Sequence, residues 1–130
     1  MDKHAAYIKN RLSLRPPQTE SLEILAGLAD RLTLRKNTDL AAEQEKVRAY
    51  AAERAAERGA DAVFTEFERT FPCFCFALAT GVGKTRLMGA FIAWLNQAKG
   101  IKNFFVLAPN LTIYNKLIED FSNSRSTKYV

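Results

Sequence analysis

The sequence predicts an α/β domain: a parallel sheet covered by helices, incomplete at 130 residues, behind a helical N-terminal segment. Three observations predict it. Cys73–Ala79 (CFCFALA) and Asn103–Ala108 (NFFVLA) are uncharged runs of strand length. Their apolar residues sit on both faces, as strands buried between helices require. Each run leads into a stretch of helical composition, and the first reaches its helix through the glycine-rich TGVGKT. Before Pro72 the periodicity is mostly helical, so residues 1–72 form the N-terminal segment and residues 73–130 the first part of the sheet domain.

The elements follow in order. Pro16 and Pro17 predict an extended entry, after which Leu22, Leu25, Leu28 and Leu32 recur at helical spacing in a helix of about four turns from near Thr19. Asp39 is placed to cap a second helix, residues 40–58, with Gly59 just past its end. That helix carries four charges of each sign and no sustained heptad, which predicts a solvated surface helix. Residues 61–71 set Val63, Phe64, Phe67 and Phe71 along a short helical or extended piece. Arg86–Asn96 is helical and apolar on most sides, Lys99-Gly100 turns the chain, and Asn110 can cap a helix bearing Leu111, Tyr114, Leu117, Ile118 and Phe121. The tail from Ser122 reads as polar loop, with Lys128-Tyr129-Val130 as the start of another element.

Composition narrows the function classes. With 48% hydrophobic and 25% charged residues the chain is globular rather than disordered. No apolar run approaches the roughly 18 residues of a membrane span, and no signal peptide follows the charged Met-Asp-Lys-His start. Cys73 and Cys75, one residue apart, suit a reducing, cytoplasmic setting and are expected as core residues on one strand face. The net charge of +5 is uneven: residues 1–36 carry +3, residues 37–70 carry −3 and residues 71–130 carry +5. A basic C-terminal half is suited to phosphates, of a nucleotide or a nucleic acid.

The segment Leu78–Thr85 (LATGVGKT) carries the chemistry. Gly81 and Gly83 allow backbone conformations that turn successive N–H groups inward as an anion nest, and the following helix adds the partial positive charge of its N-terminus. Lys84 is then placed for the β- and γ-phosphates and the Thr85 hydroxyl for Mg²⁺. Leu78 stands where the strict motif has glycine. This loop, with the apolar helix after it and the FFVLAPN-LTIYNKL stretch beyond, resembles the start of a superfamily 2 helicase motor domain. The likeness is strongest to the helicase-like subunit of type III restriction enzymes.

The resemblance implies a RecA-like P-loop fold, ATP and Mg²⁺ as ligands, and Ala79, Thr80, Gly81, Val82, Gly83, Lys84 and Thr85 as the phosphate loop, with Thr85 on the metal. It implies that Pro109, Asn110, Leu111 and Thr112 grip the backbone of double-stranded DNA, and that Arg15 and Gln18 in LRPPQ read adenine. A modification or specificity subunit is the implied protein partner. Gln18 lies 63 residues before Gly81, a longer gap than the family's usual spacing.

Catalysis needs more than a phosphate cradle: a metal-holding acid at a strand end, a group that orients water and an arginine finger. After Thr85 the acids are Glu119 and Asp120, adjacent in the last helix, and His4 lies near an N-terminus expected to fray. No catalytic residue is therefore expected within the chain, which reads as an N-terminal fragment, a truncated product or one piece of a split system. The expected function is the ATP-binding part of a DNA helicase or translocase. The alternatives are a small P-loop NTPase or kinase, and a non-enzymatic remnant that binds nucleotide or a partner.

Overall fold

A computed structural model describes residues 1–122. The described residues form five helices: α1 (Lys3–Arg11), α2 (Pro16–Arg31), α3 (Leu40–Glu57), α4 (Lys84–Lys99) and α5 (Leu111–Ser122). No strand occurs among them, which overturns the predicted parallel-sheet α/β domain. Cys73–Ala79 and Asn103–Ala108 are irregular instead. The reason is physical: a helix satisfies its own backbone groups, whereas a strand exists only when another segment supplies the other half of each hydrogen bond. An apolar run says that a segment suits burial; it does not supply the partner.

Local chemistry explains the helices. Asp2, with extended φ/ψ, caps α1 by accepting from the Ala5 N–H at 2.8 Å, and Lys9 and Arg11 oppose the dipole at its other end. The N-terminus is thus helical from Lys3, in place of the expected fraying. Pro16 and Pro17 form the first turn of α2 instead of an extended entry: the Thr19 N–H already bonds the Arg15 carbonyl at 2.9 Å. Proline fits a first turn because its missing N–H has no intrahelical partner to lose there. Asp39 caps α3 as expected, accepting from Ala41 N–H at 3.0 Å, and Gly59 follows the C-cap Arg58 with φ +62°. Gly100 ends α4 in the left-handed region. The Asn110 side chain accepts from the Ile113 N–H at 3.0 Å at the start of α5. The predicted tail beyond Ser122 lies outside the described residues.

The chain divides into two compact units, residues 1–23 with 78–130, and residues 24–77. In the first, α1 packs on α4, and Ala5, Ile8, Leu87, Ala90 and Trp94 are buried, the α4 trio at i, i+3, i+7. The Trp94 indole N–H donates to the Asp2 carboxylate at 3.0 Å, so the carboxylate that caps α1 also ties it to α4. In the second unit Leu28, Val47, Tyr50 and Phe67 form the core, with Ile24, Leu32, Leu40, Phe64 and Cys73 against it. The Phe67 ring meets Phe64 and Phe74 edge-on. Cys73 is half-buried and Cys75 exposed, so the expectation of two core cysteines fails along with the strand that was to bury them.

Glu43, on α3, is buried in the second unit. Burial pushes its carboxyl up, but hydrogen bonds from the Lys46 ammonium at 2.8 Å and the Thr33 amide at 2.9 Å outweigh that and hold it below the ordinary glutamate range. The ion pair lies within α3, and the bonds from the Thr33 amide to Glu43 and from Lys46 to the Thr33 hydroxyl close the α2–α3 connection. Among the described residues no helix is long and apolar enough to cross a membrane.

Candidate nucleotide-binding site

Within the first unit, the turn before α4 has the conformation its glycines permit. Gly81 has φ +81° and Gly83 has φ +89°, both in the left-handed region where a Cβ is strained. Gly83 stands at the N-cap of α4 without a side-chain cap, so no side chain blocks the helix's first N–H groups. Lys84 opens the helix and is exposed; Thr85 follows, half-buried.

Residues distant in sequence brace this turn. The Gln18 amide nitrogen donates to the Gly83 carbonyl at 2.8 Å while its oxygen accepts from the Arg15 N–H at 2.8 Å. Gln18 is only 2% exposed, so both bonds are shielded from water. The Arg15 guanidinium donates to the Gly81 carbonyl at 3.3 Å, and Arg86, on α4, donates back to the Leu12 carbonyl at 3.0 Å. The segment Leu12–Gln18 is thereby stitched to the loop from both sides.

A cavity of about 290 Å³ opens there, walled by Ser13, Arg15, Gln18, Gly81, Val82, Gly83, Thr85, Arg86, Lys116 and Asp120. Its size is at the lower end for small-molecule sites, and three cationic side chains on its wall favour an anion. Of the residues expected from the sequence, Arg15, Gln18, Gly81, Val82, Gly83 and Thr85 come together on this wall. Ala79, Thr80 and Lys84 are exposed beside it. Pro109, Asn110, Leu111 and Thr112 lie at the start of α5, exposed and off the cavity wall.

Sequence reasoning misses four wall residues, Ser13 among them. Arg86 and Lys116 look like ordinary surface bases, and no apolar strand leads to Asp120 to mark it as a metal-holding acid. The Thr85 hydroxyl and Asp120 carboxylate are hard oxygen donors, the kind Mg²⁺ takes. Among the described residues no group of three or more His, Cys, Asp and Glu side chains could hold a metal ion.

A left-handed glycine turn opening an apolar helix, with cations around a small cavity, is a setting suited to an anion. The chain belongs to the family described as type III restriction enzyme, res subunit, whose model matches residues 11–130. It is the helicase-like region of that subunit family. No curated protein and no solved structure matches the chain.

Proposed function

We propose that this chain is the ATP-binding N-terminal part of an ATP-dependent DNA translocase of the restriction-enzyme type. The observation that carries the proposal is the cavity in which the left-handed Gly81–Gly83 turn, the α4 N-terminus and Thr85 meet Arg15 and Gln18. Family membership supports the same ligands, ATP with Mg²⁺, and the same macromolecular partners, double-stranded DNA and a modification subunit.

Each residue has a part. The N–H groups at the start of α4 and the Lys84 ammonium bind the phosphates, and the Thr85 hydroxyl holds Mg²⁺. Mg²⁺, when bound, neutralises charge on the phosphate oxygens. Gln18 and Arg15 keep the loop open for phosphate and stand where the base would approach. Asn110 and Thr112, exposed at the start of α5, offer side-chain groups and a helix N-terminus to a DNA phosphate. Phe105, Leu107 and Leu111 are largely exposed, which supports the reading that these segments pack against further parts of a motor domain.

Binding of a fluorescent ADP analogue in Mg²⁺ tests the proposal. The expected result is saturable binding that Lys84→Ala weakens by about tenfold or more, and no steady phosphate release when ATP is supplied instead. Steady release of phosphate from ATP, abolished by Lys84→Ala, would overturn the binding-only part. DNA affinity that falls steeply with salt is expected too, and a flat salt response counts against the DNA contact.

A further inference from the structure

We infer that the outer face of α1 is a docking surface for the phosphate backbone of duplex DNA. The inference rests on the reading that the chain acts on DNA. It adds a contact outside the region matched to the family, because α1 up to Asn10 precedes that region. The face follows from helical geometry. Ala5 and Ile8 are buried on the side of α1 that packs on α4. On the opposite side Lys3, Tyr7, Asn10 and Arg11 fall at i, i+4, i+7 and i+8, and all four are exposed.

Solubility and helix stability do not explain this composition. The surface helix α3 mixes signs and pairs them, Lys46 with Glu43 and Arg48 with Glu45. In contrast, α1 carries Lys3, Lys9 and Arg11 and no acid, and among the described residues no ion pair holds any of the three. The helix dipole accounts for Lys9 and Arg11 in the last turn but not for Lys3, since a first turn disfavours a cation. Tyr7, 58% exposed, sets an aromatic ring in water one turn from each of Lys3 and Arg11. The Asp2 carboxylate is turned away to the Ala5 N–H and the Trp94 indole.

Lysine, arginine, tyrosine and asparagine are side chains that bond phosphate oxygens, and a row free of acids is complementary to a polyanion. Lys3 and Arg11 lie about 12 Å apart along the axis, far enough to meet two different phosphates of one DNA strand. A helix face is convex and this one has a single aromatic, whereas single strands lie in grooves lined by successive stacking rings. An anionic membrane fits less well, because an interfacial helix inserts its apolar face and that of α1 is packed on α4.

The deciding measurement is fluorescence anisotropy of the full chain with a labelled duplex of about 20 base pairs, from about 50 to about 200 mM salt. The wild type is compared with Lys3→Gln/Arg11→Gln and with the charge-matched Arg35→Gln/Lys36→Gln, whose exposed bases lie beyond α2. Trp94 emission reports whether α1 stays seated on α4, through the bond to Asp2. Each phosphate contact adds about 0.9 to the slope of log affinity against log salt, so Lys3→Gln/Arg11→Gln should reduce the slope by about 1.8. Over that range the wild type should lose about tenfold more affinity than this variant. Arg35→Gln/Lys36→Gln should keep the wild-type slope. Equal slopes in the wild type and Lys3→Gln/Arg11→Gln, or equal reductions in both variants, overturn the inference alone. So does the same reduction on a single strand of equal length, or binding of phosphatidylserine vesicles through Lys3 and Arg11 with duplex binding unchanged. Absent or salt-independent duplex binding by the wild type overturns the inference together with the DNA reading it rests on.

Discussion

Replacing Gly83 by alanine tests whether Gln18 and the glycine turn before α4 are packed as one piece. A Cβ at Gly83 would sit 2.6 Å from the Gln18 amide nitrogen, closer than any real Cβ contact, and the residue's φ of +89° is strained for alanine. Left-handed backbone costs a residue with a Cβ about 1–2 kcal/mol. Pushing Gln18 aside breaks its bond to the Gly83 carbonyl and strands a buried amide, about 1–3 kcal/mol more. Gly83→Ala should therefore destabilise the chain by about 2–5 kcal/mol, a large share of the roughly 5–15 kcal/mol available to a domain. Gly81 is the internal control. Its φ is +81°, but a Cβ there would meet nothing within 4 Å, so Gly81→Ala should cost the backbone part alone, about 1–2 kcal/mol. Urea unfolding followed by emission of Trp94, the single tryptophan and 1% exposed, reads the difference. In a Gln18→Ala background the excess cost at Gly83 should fall by about 1–3 kcal/mol, because the clash and the stranded amide are gone. Equal costs at Gly81 and Gly83, or no coupling to Gln18, would refute the packing.

Two further outcomes are expected. Glu43 has a lowered folded pKa, so its contribution to stability is complete above the unfolded carboxylate value of about 4.3 and is lost as pH falls through the lowered folded value. Acid unfolding by circular dichroism should therefore show a shallower slope in Glu43→Gln below that pH; identical slopes would count against the pairing of this buried carboxylate. Asp2→Ala removes both the α1 cap and the Trp94 acceptor and should cost about 2 kcal/mol, with Trp94 emission altered in the folded state. An unchanged spectrum at full native signal would argue that α1 is not held to α4 by this carboxylate.

What the sequence determines by itself is local. Asp39 and Asn110 are legible as caps because a cap is made by a side chain and an N–H two or three residues away. Gly59 and Gly100 are legible as helix ends, and Gly81 and Gly83 as loop residues, because left-handed backbone is chiefly a glycine property. The paired prolines mislead because proline suits both an extended entry and a first helical turn, and the residues after it decide which one forms. The tertiary structure alone decides whatever needs a distant partner. Cys73–Ala79 and Asn103–Ala108 have strand composition, yet a strand needs a second chain segment at hydrogen-bonding distance, and none pairs with them among the described residues. Gln18 is a candidate by resemblance, but its amide meeting Gly83 across 65 positions is a fact of packing. Asp120 is the sharpest case. In the sequence it is one of two adjacent acids on a helix, indistinguishable from Glu119; in the fold one is exposed and the other buried on the cavity wall. A sequence specifies charge, but the free energy of that charge depends on its surroundings, and those are set only when the chain folds.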